Sequence, residues 1–201
     1  MTSPDLKSDL HRYLKRAREA MVWKLDGLSE YDVRRPLTPT GTNLLGLVKH
    51  LASVEIGYFG ETFGRSFGES LAWEAEGTEI NADMWATADE SRDYIVGLYH
   101  RAWAFADDTI DELSIDAPGR VPWWGENGNV TLGVILAHMI AETDRHAGHA
   151  DIVRELIDGA AGLRSGSDNL PPGDKAWWGT YHAKLEAAAR EAAAKAGQPV
   201  E

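Results

Sequence analysis

Leu132-Gly133-Val134-Ile135-Leu136-Ala137-His138-Met139-Ile140-Ala141-Glu142-Thr143-Asp144-Arg145-His146-Ala147-Gly148-His149-Ala150 is the stretch that decides the fold. Leu132, Ile135, Leu136 and Met139 recur at three- and four-residue steps, and Val153, Leu156 and Ile157 continue the pattern. That is the period of an amphipathic helix. Thr131 suits its N-cap and Asp158-Gly159 its C-terminal stop. On such a helix His138, Glu142, His146 and His149 fall within an arc of about 80°. Ile135 and Val153 share this arc, so the polar groups lie on the core-facing stripe.

Polar groups on a buried face need partners, because desolvating each one unpaired costs on the order of a few kcal/mol. Glu142 and His146 are four apart and point the same way, one turn above the other. Far upstream lies Gly46-Leu47-Val48-Lys49-His50-Leu51, where Leu47, Leu51 and Val54 make His50 face inward too. A carboxylate and an imidazole on one helix, with a second imidazole from a neighbour, form a three-ligand divalent-metal site with an exchangeable fourth position. Spacing alone leaves the alternative of hydrogen-bonded core histidines open.

Outward from this segment the pattern stays helical. A first helix is expected over 5–28 on Leu10, Leu14, Ala17, Met21 and Leu25, closed by Gly27 and Pro36–Gly41. A second runs from Leu44 to Phe59, capped by Thr42 or Asn43. Residues 60–86 read as a long connection. Thr87-Ala88-Asp89-Glu90 has capping-box spacing ahead of a third helix that carries Ile95, Leu98, Trp103 and Ile110. An irregular stretch over 116–129 precedes the fourth helix. After Gly159 a Gly/Ser/Asp/Pro-rich loop leads to a final helix from Trp177 into the Ala-rich segment ending at Lys195. No β alternation is sustained, so the class is all-α: a four-helix bundle with an additional C-terminal helix. A single domain over 1–201 is expected, with a core at 5–160, a loop and helix at 161–195 and a frayed tail at 196–201.

Net charge is −12, from 32 acidic and 20 basic side chains. Such a field repels phosphate backbones and anionic lipids, which argues against nucleic-acid or membrane-surface partners. No apolar run approaches a membrane span. Zero cysteines exclude disulfides, thiolate zinc sites and cysteine nucleophiles. With no apolar leader at the N-terminus, a cytoplasmic location is expected.

Three elements together carry a family resemblance: Leu44 through His50 to Glu55, Val121-Pro122-Trp123-Trp124, and Thr131 through Glu142 and His146 to Ile152. They resemble the DinB-like superfamily, and within it the actinobacterial branch related to mycothiol-dependent maleylpyruvate isomerase. The resemblance spans roughly residues 8–185. It implies a helical bundle with a divalent metal, zinc first and nickel second, held by one side chain of the second helix and two of the fourth. Carried onto this sequence, the ligands are His50, Glu142 and His146, the His/Glu/His set of the isomerase branch. His149 is then a candidate second-shell group, and His138 either supports the site or serves packing. Trp123, Trp124 and Arg145 are candidate ligand-binding residues; packing is the alternative for the tryptophans, and Arg120 and Arg154, like Arg145, are cations that could meet an anionic substrate. His11, His100 and His182 have no matching partner and read as surface or packing residues.

A metal with two neutral ligands and one carboxylate keeps net positive charge, so it can acidify bound water or hold a thiolate. With no cysteine in the chain, any thiol must be a small-molecule cosubstrate. The resemblance implies a mycothiol-type thiol transferred to, or assisting isomerisation of, small electrophilic substrates. The isomerase carries a separate C-terminal domain without counterpart here, so maleylpyruvate isomerisation itself is not expected. The alternative is a non-catalytic metal-containing binding or stress-response protein, dimeric through an exposed helix face.

Overall fold

The computed structural model describes residues 5–199. Helix α1 (Leu6–Trp23) starts on Asp5, whose carboxylate accepts from the Lys7 amide. It ends earlier than the apolar pattern predicts. The Arg154 guanidinium takes the carbonyls of Lys24 (2.8 Å) and Asp26 (2.9 Å), so a cation satisfies groups that another helical turn would have used. Gly27 turns the chain at φ +73°, and Ser29 caps the short α2 (Glu30–Arg34). Arg154 also grips Asp158, and Arg120 bonds Asn129 and the Gly125 carbonyl, so both cations hold the fold.

Helix α3 (Leu44–Phe59) begins on Asn43, which accepts from the Gly46 amide at 2.8 Å. The connection after it holds three 3-10 turns, at Glu61–Phe63, Ala72–Glu74 and Ala82–Met84. Helix α4 (Arg92–Glu112) is capped by Ser91 and not by Thr87. Glu90 does reach back to the Thr87 amide at 2.7 Å, but that box closes a turn before the helix, and Ser91 supplies the N-cap four residues on. The 116–129 stretch folds into a hairpin of β1 (Pro118–Arg120) and β2 (Asn129–Thr131) around a 3-10 segment. Helix α5 (Leu132–Asp158) follows, capped by Thr131 and stopped by Gly159 at φ +81°.

In the unit formed by residues up to Asp168, α3 packs on α4 and α5, and α1 packs on α5. The core has two lobes, one around Leu47, Leu51, Leu98 and Val153 and one around Leu14, Phe59, Ile110, Leu136 and Met139. Between the helices Arg18 and Glu55 are paired at 1% and 0% exposure. Asp107 holds the other side of Arg18 at 2.6 Å and meets His11 at 2.7 Å, which makes His11 a packing residue. Burial pushes the Glu55 carboxyl up to about 7, outweighing the pull of Arg18.

The unit from Asn169 onward is built on α6 (Lys175–Lys195). Asp174 caps it, Trp177 stacks on Tyr181 at 5.4 Å, and none of its residues is buried. Within the tail expected to fray at 196–201, Ala196 closes α6, while 200 and 201 lie outside the described residues.

Candidate metal centre

Helix α3 brings His50, and α5 brings Glu142 and His146, to one place beside the core. One ligand atom from each lies within 4.8 Å of the others. His146 Nε2 is 3.1 Å and His50 Nε2 3.5 Å from Glu142 Oε1, and the two imidazole rings stand 5.0 Å apart at 71°. Zinc–nitrogen and zinc–oxygen bonds of about 2.0–2.1 Å in tetrahedral geometry put ligand atoms about 3.3–3.4 Å apart. The two histidine–glutamate separations bracket that figure, and the donor set of two imidazoles and a carboxylate suits a divalent cation.

Asp83, which no periodicity in the sequence points to, accepts from the other face of His50, with Nδ1 to Oδ2 at 2.6 Å. This fixes the tautomer, leaving the Nε2 lone pair facing Glu142. The loop that carries Asp83 is pinned to α3 from two sides. Buried Lys49 donates to the carbonyls of Ala82 and Trp85, both at 2.9 Å, and to Glu90. Gly46 lets the Met84 carbonyl lie where any Cβ would stand 1.8 Å away.

Electrostatics divide the two imidazoles. Burial disfavours a charged His50, but Asp83 and Glu142 outweigh it and hold the group above its ordinary value. Burial and then the neighbouring His50 lower His146, so that imidazole stays neutral, the form in which it can ligate. Burial works to raise Glu142, but the two histidines win and keep it ionised. His149 is half-buried, with Nδ1 3.4 Å from His146 Nδ1. His138 sits one turn from Glu142 with its ring against Tyr58 (4.6 Å) and Trp124 (5.0 Å).

Trp123 and Trp124 both aim their indole N–H at the Tyr58 hydroxyl, at 3.4 and 3.2 Å. That leaves their ring faces, not their donors, for a ligand. Trp123 is half exposed and lies across Gly57, where a Cβ would come within 3.1 Å of the ring. With Trp73 on the other side it walls a cleft of about 390 Å³ that runs along α3 and includes Asp83. Arg145 is exposed on the outer flank of α5. His100 packs edge-on against Trp103, and His182 is exposed on α6.

The sequence profile of the Mycothiol-S-transferase family matches residues 9–159. The chain belongs to this family. The match runs from α1 through the end of α5 and so takes in every element that builds the cluster. A search of curated proteins finds no match. Family membership supports a mycothiol-related S-transferase, in line with the DinB-like bundle. Among the described residues no helix is long and apolar enough to cross a membrane.

Proposed function

We propose that the chain is a divalent-metal-dependent thiol transferase that joins a mycothiol-type thiol to a small electrophile, with His50, Glu142 and His146 as the metal ligands. The observation that carries this is the His/Glu/His cluster on α3 and α5, backed by the Asp83 carboxylate, in a member of a thiol-transferase family. Zinc suits two imidazoles and a carboxylate, and nickel is the second choice. A divalent ion held there supplies Lewis acidity that favours the thiolate over the thiol at neutral pH.

The chain's own residues do the rest. Asp83 orients His50 by accepting its Nδ1 proton. His149 plays the matching part for His146: with the His146 Nε2 lone pair given to a metal ion, His146 Nδ1 would donate and His149 Nδ1, 3.4 Å away, would accept. Trp123 shields one side of the cleft, which reduces competition from water for the electrophile. In the overall reaction the sulfur–carbon bond forms, the electrophile's leaving group departs with the bonding pair, and the thiol proton passes to solvent.

Conjugation of mycothiol to monobromobimane, followed by fluorescence, tests this. Metal-loaded protein should turn over, and His146→Ala should lose turnover with its helical circular dichroism unchanged. Turnover retained in that variant would overturn the ligand assignment.

A further inference from the structure

Inside the bundle, five buried polar atoms gather without a hydrogen-bond partner among the described residues. They are Arg18 Nε, Glu55 Oε2, Tyr99 Oη, Trp103 Nε1 and Thr143 Oγ1. Four helices supply them: α1 carries Arg18, α3 Glu55, α4 Tyr99 and Trp103, and α5 Thr143. Each atom is shut off from the surface, and Arg18, Glu55, Tyr99 and Thr143 are buried whole. Buried polar atoms are normally paired, because leaving one alone forfeits the bonds it made to water in the unfolded chain.

The five atoms share one neighbourhood. Arg18 spends Nη2 on Glu55 Oε1 and Nη1 on Asp107, which leaves Arg18 Nε and Glu55 Oε2 over. The Arg18 guanidinium lies 5.9 Å from the Trp103 ring, and that ring stands 4.9 Å from Tyr99, one turn back on α4. Burial first, then the Glu55 charge, holds the Tyr99 phenol well above its ordinary range, while Arg18, Trp103 and Thr143 pull the other way. All four groups therefore lie close enough to act on a single phenol oxygen.

The donors and acceptors restrict what can serve them. Arg18 and Trp103 only donate, an ionised Glu55 only accepts, and the two hydroxyls do either. A cation would face the Arg18 charge and two N–H groups, an anion would face Glu55, and an apolar guest would match none of the five. Glu55 adds a condition of its own. With Arg18 and Asp107 as the charges that face it, its carboxyl is pushed up to about 7, so near neutral pH it exists both as acid and as carboxylate. Its partner must accept from the first form and donate to the second. Water does both, and it needs only two to four polar neighbours to stay in place. We propose that ordered water is bound inside the bundle, shared by Arg18, Glu55, Tyr99, Trp103 and Thr143, and ties α1, α3, α4 and α5 together at one point. The site needs neither the metal nor the transferase reading.

Two NMR measurements on the full-length protein test this. The Trp103 indole proton, identified by its loss in Trp103→Phe, should show water cross-peaks of opposite sign in NOE and ROE spectra, as a water held in place gives. Oxygen-17 relaxation dispersion of the solvent, which is blind to hydroxyl protons, should report long-lived water in the wild type. Tyr99→Phe/Thr143→Val removes both hydroxyls with little change of shape. In that variant the cross-peak should vanish and the dispersion should fall, with helical circular dichroism unchanged. No cross-peak in the wild type, or equal dispersion in the two proteins, would overturn the proposal and mean that the five groups close directly on one another. Should the double variant not fold, Thr143→Val alone should still lower the dispersion, and an unchanged value there would overturn the proposal equally.

Discussion

At the scale of single residues, His50 is held from both sides, by Asp83 at Nδ1 and by the cluster at Nε2. Removing such a carboxylate partner typically costs about 10–100-fold in metal affinity. Asp83→Asn should therefore weaken zinc binding by that order in a competition titration with a chromogenic chelator, while helicity is preserved. The histidine and glutamate positions were legible because a helix converts four-residue spacing into a shared direction. Asp83 was not, since it reaches the site through a loop whose path is set by Lys49 and Gly46. Glu55 was also hidden: nothing in the sequence pointed to Arg18 as its partner. Arg18 and Asp107 are the charges that face this carboxyl, with the buried Tyr99 phenol nearby. Between its ordinary 4.5 and about 7, folded Glu55 keeps a proton that the unfolded chain releases. Stability from this group is therefore full below that window and falls as pH rises through it. Urea melts from pH 4.5 to 7.5 should show the decline, and Glu55→Gln should flatten it.

At the scale of elements, α3 is the organising helix. It carries His50, receives the Asp83 loop at Gly46 and Lys49, and floors the cleft at Gly57. Gly46→Ala would force a Cβ into the Met84 carbonyl, so the loop must move away. A loss of about 1–3 kcal/mol in unfolding free energy is expected, as for other overpacked sites, together with weaker metal binding as Asp83 shifts. Equal stability and equal metal affinity would show that the loop is not seated as described. The four long helices followed from apolar periodicity, and Asn43, Thr131 and Gly159 marked ends that the chain uses. Boundaries failed where tertiary contacts decided them. Arg154 ends α1 from another helix, and Glu90 spends its capping-box bond on a turn that precedes α4.

At the scale of the whole molecule, the bundle that presents the cluster lies entirely within residues up to Asp168, and the family match ends inside it at 159. A chain ended at Asp168 should keep its metal content and melt within about 2 °C of the full chain, since α6 buries none of its own residues. A large fall in either would give the C-terminal unit a structural role. Whether α3 and α5 meet to hold a metal ion is read out by elemental analysis of tag-free protein. Near-stoichiometric zinc or nickel in the wild type, and none in His50→Ala/His146→Ala of unchanged helicity, is the expected result. No metal in the wild type after incubation with either ion, or equal metal in both proteins, would contradict it.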